Sequence, residues 1–172
     1  MAKENWLVAP NKVEYYAQKK SKKNSKFRVW LKMHVDPEDL DKQFHTLHNE
    51  LFENYDCSQC RNCCKEYPGT FKENELDKVS KHLDMTIEDF KKKYIKDEKE
   101  NGSYVTKNIP CDFLMENGDC MLGKSKPISC IQYPFTNQPD RMFSLYSFLQ
   151  ATFVCPVAYE ICERLKEHYN FR

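Results

Sequence analysis

Residues 57–64 read Cys-Ser-Gln-Cys-Arg-Asn-Cys-Cys and hold four of the nine cysteines of the chain in a C-x2-C-x2-C-C pattern. The residues between these cysteines are all polar, so the stretch is not an apolar core segment that uses cysteine as a small hydrophobic residue. Adjacent cysteines such as Cys63 and Cys64 also bond to each other only with strain. Thiolates this close together on a polar loop suit a soft metal ion or an iron–sulfur cluster. The stretch therefore predicts a metal or cluster site that includes Cys57, Cys60, Cys63 and Cys64.

The composition is that of a small, weakly hydrophobic chain. Its 172 residues suit a modest core, and the hydrophobic content is 40%. A bound metal would then contribute folding energy directly. The 27 basic and 26 acidic residues give a net charge of +1, which argues against a bulk electrostatic partner such as nucleic acid.

The sequence predicts a cytoplasmic protein. The first six residues, Met-Ala-Lys-Glu-Asn-Trp, have neither the apolar core nor the cleavage site of a signal peptide, and no apolar run approaches membrane-spanning length. No membrane partner is therefore expected. In a reducing compartment, nine cysteines indicate ligands or catalytic thiols and not a framework of disulfides.

A basic run follows in residues 19–28, where five lysines and one arginine precede Trp30. It suits either an arm that contacts phosphates or a solvated face or connector. The balanced net charge favours the solvated face or connector.

The predicted fold class is mainly α with a small β-hairpin (α+β), as a compact cysteine-rich metal-binding domain. Asp36-Pro37 is typical of a helix start, and the apolar residues that follow predict a helix to about Tyr55. We expect residues 1–56 to form an N-terminal basic segment and a helix packed on the core. Residues 57–172 then form the cysteine-cluster metal-binding domain.

Beyond the cysteine motif, the remaining elements are short. Residues 104–106 are predicted as a strand, and Asn117-Gly118 predicts a hairpin that places Cys111 and Cys120 on opposing strands. A brief helix after Pro127 carries Cys130. Residues 142–153 suit either a strand or a buried helix, and Cys155-Pro156 begins a last helix.

The ordered motifs closely resemble the YkgJ-like cysteine-cluster family, whose members are described as zinc- or iron-chelating domains. They are Cys57-x2-Cys60-x2-Cys63-Cys64, Pro110-Cys111-Asp-Phe-Leu, Gly118-Asp-Cys120 and Pro127-Ile-Ser-Cys130-Ile-Gln-Tyr-Pro-Phe. The resemblance covers residues 57–162, and a similar cysteine pattern occurs in flagellin lysine methylases.

The resemblance implies eight metal ligands. They are Cys57, Cys60, Cys63, Cys64, Cys111, Cys120, Cys130 and Cys155. Cys162 is extra, and we expect it to be a buried helix residue. Lys126 and Ile131 stand where the family usually has arginine, which weakens any role of those arginines in binding an anion.

Two kinds of centre fit this ligand set. Tetrahedral zinc takes four thiolates, so eight cysteines would close two sites. A [4Fe–4S] cluster also takes four, and C-x2-C-x2-C with a remote Cys-Pro is the ferredoxin spacing. Only one region is dense in cysteine, which favours the iron–sulfur cluster. We expect Cys57, Cys60 and Cys63 to bind the cluster with a fourth thiolate from the distal cysteines, and the cofactor-binding residues also include Cys64 and Cys155.

Three functions stay open at this point. The first is an iron–sulfur protein that supports group transfer to a protein or peptide side chain, as the resemblance to the methylases implies. The second is a zinc-binding structural or interaction module without catalytic activity. The third is metal storage or delivery, which predicts weaker, exchangeable binding. No catalytic residue can be singled out among 26 carboxylates and five histidines.

Overall fold

The computed structural model describes residues 7–172. The first six residues, on which the expectation about a signal peptide rests, lie outside the described residues. The helices are α1 (Val13–His34), α2 (Pro37–Phe52), α3 (Cys57–Cys60), α4 (Asn62–Glu66), α5 (Glu73–His82), α6 (Ile87–Tyr94), α7 (Ile128–Gln132), α8 (Arg141–Ala151) and α9 (Pro156–His168). The strands are β1 (Thr70–Lys72), β2 (Ile95–Glu98) and β3 (Ser103–Thr106). Helices with one small sheet confirm the predicted α+β class.

The elements divide into two compact units. The helical unit comprises residues 7–56 and 134–172, and the cysteine-rich unit comprises residues 57–133. Residues 134–172 thus group with the N-terminal helices and not with the cysteine motif. No helix in residues 7–172 has the length and apolar character needed to cross a membrane.

Helix α1 contains the basic run, which is therefore helical throughout. Its buried positions are spaced by 4, 7, 3 and 4 residues along one face, and they are Val13, Ala17, Asn24, Phe27 and Leu31. The sequence did not predict this helix because lysines and a buried asparagine interrupt the apolar repeat.

Helix α2 begins as predicted. The Oδ1 atom of Asp36 accepts hydrogen bonds from the backbone N–H groups of Glu38, at 3.0 Å, and Asp39, at 3.1 Å. This is an N-cap that satisfies two donors of the first turn. Leu40 and Phe44 are buried, and the helix ends at Phe52, three residues before the predicted end.

The last two helices complete the core of the helical unit. Residues 142–153 are mostly helical and not a strand, and the ring of Phe148 on α8 meets that of Phe44 at a centroid distance of 4.7 Å. Helix α9 begins at Pro156, as predicted, with Cys155 at its N-cap. Cys162 is fully buried on α9, which confirms the expectation for the ninth cysteine.

A buried polar contact joins α1 to α9. The Nζ atom of Lys166, a residue only 4% exposed, donates to the Oδ1 atom of Asn24 at 2.8 Å. Glu163 pairs with Lys166 and also with Lys20, at 3.0 Å. The buried ammonium group is therefore paired and hydrogen-bonded, as burial of a charge requires.

The cysteine-rich unit is built on a three-stranded antiparallel sheet in the order β1-β3-β2. The predicted strand at residues 104–106 is confirmed within β3. The turn before it is closed by a hydrogen bond from the N–H of Gly102 to the carbonyl of Lys99, at 2.8 Å. Strand β2 was not predicted, because its one apolar residue, Ile95, precedes a solvated charge run.

The core of the cysteine-rich unit is mostly aromatic. Its buried members are Phe71, Leu76, Val79, Phe90, Tyr104, Phe113 and Leu122. The ring of Phe71 meets that of Phe90 edge-on at 5.4 Å, and Phe90 stacks with Phe113 at 6.1 Å. The cysteines at positions 111 and 120 pack against this cluster.

The hairpin predicted at Asn117-Gly118 is present only as a tight turn. Leu114 and Cys120 form an isolated antiparallel bridge that lies outside β1, β2 and β3. The N–H of Cys111 donates instead to the carbonyl of Cys64, at 2.7 Å. The prediction of opposing strands fails because this end of the segment bonds to the cysteine motif and not to a facing strand.

Candidate metal centre

The cysteine motif folds into two short helical turns that meet at Arg61. Cys57 and Cys60 lie on α3, while Cys63 and Cys64 lie on α4. Arg61, between them, has a φ of 55°, in the left-handed region that is rare for residues other than glycine. The chain therefore changes direction in the middle of the motif.

The side chain of Arg61 fixes this bend to a second segment. Its Nε atom donates to the carbonyl oxygen of Gly118 at 2.6 Å. Gly118 itself has a φ of 85°. A Cβ atom there would lie 3.8 Å from the carbonyl oxygen of Ser58, so the turn approaches α3 closely.

Two further contacts place Cys130 next to the sheet. The hydroxyl of Ser129 on α7 donates to the carbonyl of Thr70 at 2.7 Å. The N–H of Ile128 donates to the Oε1 atom of Glu75 at 2.6 Å. Helix α7 is thereby tied to β1 and α5, the elements that form the core of the unit.

The pKa of the Cys64 thiol is lowered by its surroundings. A hydrogen bond with Cys63, whose Sγ atom lies 4.0 Å from that of Cys64, contributes most to lowering its pKa to about 6. Burial opposes this, and the positive charges of Arg61 and Lys126 favour the thiolate. Cys64 is therefore largely a thiolate at neutral pH.

The pKa values of two distal thiols, those of Cys111 and Cys130, are raised instead. Protein atoms surround the thiol of Cys130, a residue exposed overall, and this desolvation raises its pKa to about 11, although a hydrogen bond with Ser129 acts in the opposite direction. Burial also raises the pKa of Cys111. Repulsion from Cys64 and Cys120 adds to the shift at both thiols.

Four cysteines are thus close enough for their charges to interact. This four-thiol group consists of Cys64, Cys111, Cys120 and Cys130. Its members are separated by up to 66 positions in the sequence, yet all belong to the cysteine-rich unit. The sequence predicted Cys64 from the density of the motif, and the other three only through the family resemblance.

The donor chemistry fits a thiophilic metal. Zn–S bonds of about 2.3 Å in a tetrahedron place sulfur atoms about 3.8 Å apart, close to the separation of 4.0 Å between Cys63 and Cys64. Within residues 7–172, however, no three His, Cys, Asp or Glu side chains already converge on one point. A metal would therefore have to draw the thiols together by side-chain rotation.

The remaining predicted ligands have different surroundings. Cys57 is exposed and Cys60 is half-buried, both on α3. Cys155 is buried in the helical unit, at the N-cap of α9. Its assignment as a ligand stays a prediction.

Two side chains of the candidate site were not predicted from the sequence, namely the cations that favour the Cys64 thiolate. Arg61 lies inside the cysteine motif, where its charge was noted only as polar. Lys126 was noted as a departure from the family pattern, although its positive charge acts on Cys64. Ile131, the second departure, is 61% exposed.

Comparison with known proteins identifies one family. Residues 56–156 match the model of the CxxCxxCC family, described as "Putative zinc- or iron-chelating domain". The match covers more than half of the chain and includes all eight predicted ligands, whereas Cys162 lies outside it. Neither the curated proteins nor the solved structures gave a match. The similarity to flagellin lysine methylases stays a prediction.

Proposed function

Because the chain belongs to the CxxCxxCC family of zinc- or iron-chelating domains, we propose that its cysteine-rich unit holds a [4Fe–4S] centre on clustered thiolates. The observation that supports a thiolate-bound centre is the four-thiol group. Four thiols in one unit supply the ligands that either a tetrahedral ion or a cluster requires.

The form of the centre is proposed from the ligand spacing. Cys57, Cys60 and Cys63 have the C-x2-C-x2-C spacing of bacterial ferredoxin sites. The bend at Arg61 divides these three thiols between two helical turns, which lets them approach one centre from two directions. The four-thiol group adjoins this motif through Cys64.

We also propose an activity for this centre. The centre would support group transfer to a protein or peptide side chain, and this part rests on the resemblance to the lysine methylases alone. The cations Arg61 and Lys126, which favour the Cys64 thiolate, are the side chains that would contact an anionic group of a substrate.

A zinc-bound structural module is the second candidate. It is favoured by the packing of Cys111 and Cys120 against the aromatic core, since a metal bound to them would link that core to the cysteine motif. In such a module the metal supplies folding energy and no open coordination position.

The deciding experiment measures iron, zinc and acid-labile sulfide in anaerobically purified protein, together with its visible spectrum. We expect iron with stoichiometric sulfide and a broad visible charge-transfer band. Cys60→Ser and Cys63→Ser, which remove proposed cluster ligands, should lose most of this content. Cys162→Ser, a matched change outside the proposed ligands, should retain it.

Other outcomes separate the two candidates. Zinc without sulfide would replace the cluster by the structural module. Protein that takes up neither metal, even after reconstitution with iron and sulfide, would contradict both. Equal loss in Cys162→Ser would show that the content follows general stability and not ligand identity.

A further inference from the structure

The face of α1 that points away from the core carries a continuous exposed stripe. Its positions are spaced by 4, 3, 4, 3 and 4 residues, which keeps them on one side of the helix. The stripe consists of Tyr15, Lys19, Lys22, Lys26, Val29 and Met33. The buried positions of α1 lie on the opposite side.

Positive charge is concentrated on this helix. Residues 13–34 carry seven lysines and arginines and one carboxylate, while the other 150 residues carry 20 basic and 25 acidic side chains. The net charge of +1 is therefore the sum of a basic helix and an acidic remainder. A net charge near zero therefore does not exclude a polyanionic partner for this basic surface.

The central lysines of the stripe have no protein counter-ion among the described residues. Lys20, on the flank toward α9, pairs with Glu163. Lys22 and Lys26 form no ion pair with any residue between 7 and 172, and the ammonium of Lys19 lies 4.3 Å from the centroid of the Tyr15 ring. These charges are available to an external anion.

Exposed aromatic rings lie beside the basic helix. On α8, which packs against α1, Phe143 is 86% exposed and Tyr146 is 64% exposed. The guanidinium carbon of Arg28 lies 6.0 Å from the centroid of the Tyr146 ring, so this ring adjoins a cation on the flank of α1, the helix that carries the lysine stripe. Solvent-exposed rings on an element that packs against a basic helix form the combination in which rings stack with bases while cations contact phosphates.

We propose that α1 and the exposed rings of α8 bind single-stranded nucleic acid. The lysines of the stripe contact phosphates, and Phe143 and Tyr146 stack with bases. A membrane surface fits less well, because three lysines occupy the middle of the face that would have to enter the lipid. An acidic peptide would leave the two rings without a role.

The test measures binding of labelled oligo(dT) and oligo(U) of about 20 nucleotides, longer than the ~4–16 nucleotides of typical single-strand sites. The metal-loaded full chain is titrated at salt concentrations from about 50 to about 200 mM. The test variant is Lys19→Gln/Lys22→Gln/Lys26→Gln. The matched control is Lys92→Gln/Lys96→Gln/Lys99→Gln, which removes the same charge from exposed lysines of the cysteine-rich unit.

We expect the α1 variant to raise Kd by about tenfold or more and to reduce the slope of log K against log salt by about 2, or ~0.7 for each lost phosphate contact. The control variant should keep the wild-type slope. Phe143→Ala should weaken binding without changing the slope, because stacking releases no counterions.

Three results would overturn the proposal. They are equal losses in the two triple variants, no binding of either oligomer by the wild-type chain at the lowest salt, and tighter binding to phosphatidylserine vesicles or polyglutamate than to the oligomers. Metal content, measured on the same samples, should be unchanged in every variant, so this test is independent of the proposed metal centre.

Discussion

The helical unit and the cysteine-rich unit achieve order by different means. In the helical unit, four helices of 11 to 22 residues bury apolar faces against one another. In the cysteine-rich unit, strands of three or four residues and helices of four to ten surround a core of seven buried side chains. Long amphipathic elements provide enough apolar burial for a fold, whereas short ones leave a deficit that a metal can fill.

Metal removal should produce the largest difference in stability between the two units. Structural zinc contributes about 10 kcal/mol or more of apparent folding free energy in small domains. With a chelator present, we expect amide hydrogen exchange to become fast in residues 57–133 and to stay slow in α2, α8 and α9. Protection that persists in the cysteine-rich unit would show that its aromatic core is sufficient alone. The control is the same measurement after metal is returned.

The stability of the two units should also change with pH in opposite directions. Burial raises the pKa of Cys162 to about 12 and that of Tyr159 to about 12, both in the helical unit. The unfolded chain therefore loses protons before the folded chain does, and stability falls as pH rises above about 9, by up to ~1.4 kcal/mol per pH unit for Cys162. Metal binding to thiols releases protons, so the cysteine-rich unit should gain stability as pH rises toward the unfolded thiol pKa of about 8.5 and then level off.

Segment-resolved hydrogen exchange during denaturant titration, repeated at several pH values, checks this prediction. Cys162→Ala should lower the overall stability but reduce the alkaline slope of the helical unit. An unchanged slope in that variant would show that another group titrates there. A cysteine-rich unit that weakens together with the helical unit would contradict the thiolate centre.

The smallest effects are expected from the helix caps, one in each unit. Asp36→Ala removes the cap of α2, and Thr86→Ala removes that of α6, where the Thr86 hydroxyl accepts from the N–H of Asp89 at 3.1 Å. Each change should cost about 1 kcal/mol in the metal-loaded protein. Under chelation only Asp36→Ala should retain its effect, as followed by denaturant midpoints, and Asp36→Asn should behave as wild type.

Local signals in the sequence were sufficient for several elements. The start of α2 depends on Asp36 and Pro37, and that of α9 depends on Pro156, and each signal lies within one helical turn of the boundary it sets. Helix α1 was missed because its buried face contains Asn24, which pairs with Lys166 from the other end of the chain. That partner is visible only after folding.

The candidate site shows the same division between local and distant information. The motif at residues 57–64 was evident from cysteine density, and the α+β class followed from local patterns. The bend at Arg61 was not evident, because a left-handed arginine has no sequence signature. The charge coupling of Cys64 with Cys111, Cys120 and Cys130 depends on tertiary contacts such as the hydrogen bond between residues 111 and 64.

The division of the chain has a consequence for the order of its synthesis. The cysteine-rich unit is an insertion at residues 57–133, between the two parts of the helical unit. At about 5–20 residues per second, a ribosome takes roughly 4–15 s to make these 77 residues. During that interval α1 and α2 have already been synthesised, whereas α8 and α9, the helices that they pack against, have not. The seven thiols of residues 57–133 are therefore synthesised before α8 and α9, so a metal can bind them before the helical unit is complete.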